Sequence, residues 1–382
     1  MQATMDISPD ILKWIASNAD LTQAAADTLD VWINGTKKPT FNQIEQMSRN
    51  TGMPLAYFFL KDPPKENIAL VEYRTIDSAE LTKPSRDLIN TIHDMEEIQY
   101  WMREHLVSEG YSPLDYVGKF SHETDHMRFA GSVRELLNID DSWTMTLRSS
   151  DKAFNRLKNA ISTKGTIVMM SGIVGSNTHR SLNIDEFRAF SFVDKYAPLI
   201  FINSNDSVSG RLFSLLHEFA HICIGENSLF NDRYHSGSKR RKSETICNAV
   251  AAEILVPQAY FTDEWRRSIA DNTAEKAIED CARKFSCSTA VIARRAYDND
   301  YIDHDLYKKI MHRAMNIAKD KKSASGGDYY RTMASRIDRR FLSMLANSVQ
   351  EGKTMYTDAF RLTNTNRTTF NKLLDQTGGS II

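Results

Sequence analysis

His217, Glu218 and His221 form the pattern H-E-x-x-H within the stretch RLFSLLHEFAHICIG. Four residues make slightly more than one helical turn, so two imidazoles at that spacing share a face and can reach one tetrahedral zinc ion at about 2.0 to 2.1 Å. Glu218 lies beside them, where a carboxylate can take a proton from a metal-activated water and later pass it to a leaving amine. The flanking residues Leu212, Phe213, Leu215, Leu216, Phe219, Ala220 and Ile222 are apolar and predict a buried helix. Two histidines and a glutamate buried there without a metal would be costly polar groups.

A catalytic zinc needs a third protein ligand and one open position. Glu244, which opens the helical pattern ETICNAVAAEIL, is the first candidate; Glu253 on the same pattern and His235 in a polar loop compete with it. His235 follows His221 by fourteen residues, an offset that does not suit the longer H-E-x-x-H-x-x-G-x-x-H pattern. Asn248, one turn beyond Glu244, can accept the second N–H of an imidazole and so orient it. A donor to the developing oxyanion is also required, and Tyr234, His235 and Arg211 are the candidates.

The elements that must position these groups can be read from the periodicity. The motif helix spans about 210–224 and stops at Gly225, whose tolerance of positive φ suits a helix terminus. Apolar runs at 166–170, 190–192 and 199–202, bounded by Gly, Pro198 and Asn203, read as short strands, so a small sheet precedes the helix. The strand 199–202 could accept an extended peptide at an edge, or lie buried in the middle of the sheet. Upstream, Ser8 and Pro9 open a first helix with Ile11, Leu12, Trp14 and Ile15, and Thr40 caps another with Ile44 and Met47. A third apolar segment, LAYFFL, completes a helical module over residues 1–66. Residues 67–150 form a helical connecting region, 151–260 the core, and 261–320 a helical extension; a Gly- and Ser-containing linker then leads to a C-terminal helical module, 329–382. The fold class is α+β, mostly helical, with a small sheet and a zincin-like active-site helix between helical modules.

Composition narrows the function classes. With 382 residues the chain is long enough for several modules around one main core. A formal net charge of −1 argues against a chain that coats nucleic acid along its length. The four cysteines contain no CxxC pair, so neither a disulfide framework nor a thiolate zinc site is expected. The absence of a basic leader or of a run of about 20 apolar residues predicts a cytoplasmic protein without a membrane partner.

The stretch from Phe154 to Pro257, with KYAPLIFIN, RLFSLLHEFAHICIG and ETICNAVAAEILVP in that order, resembles the ImmA/IrrE family of bacterial and phage metallopeptidases. That resemblance implies zinc held by His217, His221 and Glu244, with Glu218 catalytic. Ala220 stands where the family often has Gly, and Cys247 where it usually has Ala. The resemblance further implies a protein substrate, a repressor or the product of a neighbouring gene. VWINGTKKPTFNQIEQMSRNTGMPLAYFFLKDPP is similar to the end of a phage-repressor helix-turn-helix domain, which implies DNA contact through residues 1–66. In that domain a helix, a tight turn and a recognition helix precede the Trp-x-x-Gly; here only LTQAAADTL fills that space, so the recognition helix is shortened, with Gln23 as the one base-reading candidate. The last segment resembles an extension of longer family members encoded beside a nuclease-type toxin. The alternative to a peptidase is therefore an antitoxin or repressor that uses the same fold as a scaffold.

Overall fold

A computed structural model of the chain describes residues 3–66, 84–230, 242–320 and 329–376. The chain divides into two compact units, one of residues 1–94 with 179–181, the other of 95–178 and 182–382.

In the first unit, α1 (Pro9–Asn18) carries Pro at its start, and α2 (Gln23–Ile33) is capped by Thr22, whose hydroxyl accepts from the Ala25 N–H. α3 (Phe41–Thr51) begins with a Thr40–Gln43 capping box and ends at Gly52, which takes the left-handed φ of 67° that glycine adopts without strain. A 3-10 turn over Leu55–Phe59 replaces the third helix expected at LAYFFL. Ile11, Ile15, Leu29, Trp32, Ile44 and Phe58 form its core. α2, which holds Trp32, is one uninterrupted helix and follows α1 across residues 19–22. The unit also takes in the start of α4 (Arg86–Ser108): buried Arg86 pairs with Glu66 at 2.6 Å, and Asn90 donates to the Gly52 carbonyl at 2.8 Å.

The second unit continues through α5 (His126–Leu137), α6 (Trp143–Leu147) and α7 (Ser150–Thr163). The strands β1 (Ile167–Ser171), β2 (Ile173–Val174), β3 (Asn177–Ser181, whose last three residues count with the first unit), β4 (Ala189–Phe192) and β5 (Leu199–Asn203) follow. Next come α8 (Val208–Ile224), β6 (Ser228–Phe230), α9 (Lys242–Leu255), α10 (Gln258–Ile269), α11 (Ala274–Lys284), α12 (Thr289–Asp298) and α13 (His304–Asp320). The chain closes with α14 (Tyr329–Arg336), α15 (Arg339–Gln350), α16 (Tyr356–Leu362) and α17 (Arg367–Gln376). This is the mostly helical α+β architecture expected from the sequence.

The four-stranded sheet has the order β1-β5-β4-β6, with β1 and β5 parallel and the other pairs antiparallel. β5 is therefore central, and all five of its residues are buried. Of the two readings of 199–202, the buried one holds, and an extended peptide has no edge to pair with at β5. At the β1 margin the C-terminal helices take over: the Asp338 carboxylate accepts the Val168 N–H at 3.1 Å and caps α15 by accepting from Phe341 N at 3.0 Å. Arg340 adds a bond to the Gly165 carbonyl at 3.0 Å. No described helix is long and apolar enough to cross a membrane.

Candidate metal centre

α8 is apolar on nearly every side, which suits a helix enclosed by other elements rather than one lying on a surface. One side packs on β4, β5 and β6, another on α7 and α9. Ser207 caps its start by accepting from Gly210 N at 3.1 Å. Its end is fixed by Gly225, at φ 91°, whose N–H returns to the His221 carbonyl, and by the turn before α5, where Gly118 N bonds the Ile222 carbonyl at 3.1 Å. A Cβ on Gly225 would lie 3.0 Å from the Gly118 Cα and would need a left-handed backbone. Gly225→Ala should thus cost about 1 to 3 kcal/mol in chemical denaturation, and an unchanged midpoint would show that this terminus does not position the helix.

α9 brings the third candidate ligand, Glu244. Its last carbonyls, which no helical N–H can satisfy, are met by side chains. Arg134 donates to Glu253 O at 3.1 Å, Trp143 Nε1 to Ile254 O at 3.0 Å, Thr144 to Leu255 O at 3.1 Å and Arg295 to Val256 O at 2.6 Å. With this end held, Glu244 in the first turn meets the two imidazoles. His217 Nε2 and His221 Nε2 are 3.2 Å apart; Glu244 Oε2 is 3.4 Å from the first and Oε1 3.2 Å from the second.

These spacings test whether the three residues suit zinc. Donors at about 2.0 to 2.1 Å from a tetrahedral ion lie about 3.3 Å from one another, and the observed edges fall beside that value. The electrostatics agree. Burial alone would lower His221, but the Cys247 thiol and the Glu244 carboxylate outweigh it and hold the imidazole well above its ordinary value. Burial alone would raise Glu244, and the two imidazoles outweigh that and hold it well below the carboxylate range. The carboxylate thus draws positive charge into the triangle, and a divalent cation can supply that charge in place of protons. The residues fit the ion.

Glu218 is fully buried. Burial is the strongest influence on its carboxyl and pushes it up to about 7, against the lowering effect of His221 and of a hydrogen bond from Ser191. The Ser191 hydroxyl donates to Oε2 at 2.6 Å, and Ser228 reaches Oε1 at 3.5 Å. Neither serine stood out in the sequence.

The other sequence candidates divide. Glu253 does not approach the metal site: its carboxylate pairs with Arg295 and accepts the Gln258 N–H at 3.2 Å. Nine residues from Glu244, it lies about 180° round the helix, so the two cannot face one ion. Arg211 is likewise elsewhere, with its guanidinium 5.3 Å from the centre of the Phe154 ring and an N–H directed at Met170 Sδ at 3.4 Å. It sits about 9 Å before His217 along the helix axis, and no contact with the three candidate ligands places it as an oxyanion donor among the described residues. Asn248 is half-buried, and among the described residues it makes no hydrogen bond to either imidazole. Tyr234 and His235 lie outside the described residues.

Residues 178–297, which include all three candidate ligands and Glu218, match the model of the IrrE N-terminal-like domain of the M78 peptidases. Residues 337–376, which start one residue before Asp338, match a domain of unknown function, DUF8813. No curated protein matches the chain.

Proposed function

We propose that this chain is a zinc-dependent endopeptidase that cuts a specific intracellular regulator, such as a DNA-bound repressor or a neighbouring-gene product. The observation that carries this reading is the His217–His221–Glu244 triangle, whose edges of 3.2 to 3.4 Å suit tetrahedral zinc, with Glu218 on the same helix. A zinc ion bound there would polarise a peptide carbonyl and lower the pKa of water toward about 7. The remaining steps belong to the protein's own groups. Glu218 receives the proton of the attacking water and delivers it to the departing amine, and a carboxyl near neutrality can do both. The packed walls of α8 and β4 keep bulk solvent from that carboxylate.

The choice of a regulator as substrate rests on the resemblance of the sequence to ImmA/IrrE peptidases. For the N-terminal unit, contact with protein is favoured over contact with DNA. Residues 3–66 carry eight acidic against six basic side chains, the wrong balance for displacing counterions from phosphates.

The direct test is to incubate the zinc-loaded full-length chain with undigested lysate of its source cell and map new protein termini by mass spectrometry. We expect about one zinc per chain and a small set of new termini that vanish on chelation and return with zinc. A lysate with no zinc-dependent termini would overturn the reading.

A further inference from the structure

The pair of serines around Glu218 is more specific than a buried polar contact requires. In the antiparallel β4–β6 ladder Ser191 and Ser228 are directly opposed partners. Opposed residues put their side chains on the same face of a sheet, here the face on which α8 packs. Both hydroxyls reach one carboxylate, one at each oxygen. Ser191, Ser228 and Glu218 are all buried. Two strands and a helix thus converge on a single side chain.

We propose that Ser191 and Ser228 are positioning residues that clasp Glu218 and fix the direction of its carboxyl group. The chemistry of the hydroxyl fits the task. A serine has one hydrogen to donate, and two opposed strand serines can each give it to a different oxygen of one carboxyl group. An alanine in either place has no hydrogen to give. The shorter bond makes Ser191 the principal member of the clasp.

This inference rests on the proposed peptidase reading, so its test has two separable arms. The first needs no substrate. In the zinc-loaded full chain, unfolding by urea is compared for Ser191→Ala, Glu218→Met and the double variant. Ser191→Ala alone should raise the unfolding equilibrium constant about tenfold or more, because a buried carboxyl loses its partner. In the Glu218→Met background the same change should shift it by less than about twofold. Ser228→Ala should follow the same pattern with a smaller shift. Equal shifts in both backgrounds would overturn the clasp.

The second arm uses the lysate termini described above. Ser191→Ala should keep its zinc and its KM while turnover falls about tenfold to a hundredfold, and a variant that cleaves at the parent rate would overturn the positioning role. A lysate in which the parent chain makes no zinc-dependent termini would instead overturn the peptidase reading, and would leave the outcome of the urea comparison standing on its own.

Discussion

Glu218→Gln should leave about one zinc ion per chain in place while cleavage of the lysate substrates falls at least about a hundredfold. The substitution is gentle on the structure. Glutamine has the same shape, its oxygen can still accept from Ser191, and its amide can donate to Ser228, so the contacts at 2.6 and 3.5 Å have replacements. The amide cannot take up a proton at neutral pH, and that is the one property removed. Because Glu218 is not among the three residues grouped around the candidate site, metal content should not change. The measurement is elemental analysis beside terminus mapping. Retained cleavage would take the base role from Glu218, whereas lost zinc would mean that it helps hold the ion.

The second large effect lies far from the chemistry. Asp338→Ala should lower stability by about 2 to 4 kcal/mol in urea titration, since it removes a helix cap and strands two buried N–H groups. Asp338 is buried, with one oxygen on Val168 N of β1 and the other on Phe341 N of α15. One carboxylate joins the sheet margin to the helical module. Asp338→Asn keeps one acceptor and should cost less. The alanine variant should also self-associate at high concentration, because an uncovered strand edge is a template for pairing. A change below about 0.5 kcal/mol would show that the module holds to β1 without this residue.

What the sequence made readable follows from the range of the interactions. The motif helix and the helix of Glu244 show in the sequence because period, caps and Gly225 are local signals. The central strands show as apolar runs for the same reason. β3 does not, because NTHRS has no apolar alternation, and β6 does not, because three residues carry no period. Ser191 and Ser228 were invisible as site residues: each is an ordinary strand serine until the register sets it opposite the other and beneath Glu218, 27 and 10 residues away along the chain. Arg211 was the reverse case. Its proximity to the motif in sequence suggested a role, but its guanidinium is turned to Phe154 and Met170.

The anchoring of α9 at the end remote from the metal has a thermodynamic consequence. Glu244 is in the first turn, while Arg134, Trp143, Thr144 and Arg295 grip the last carbonyls, about two to three turns away. A metal that requires Glu244 in place also requires the helix that presents it. By reciprocity, any loosening of that distant grip must weaken metal affinity by the same free energy with which the bound metal tightens the grip. Metal affinity at the candidate site would thereby be coupled to the packing of the core, so that a change at Trp143 or Arg295 would alter it without touching a candidate ligand.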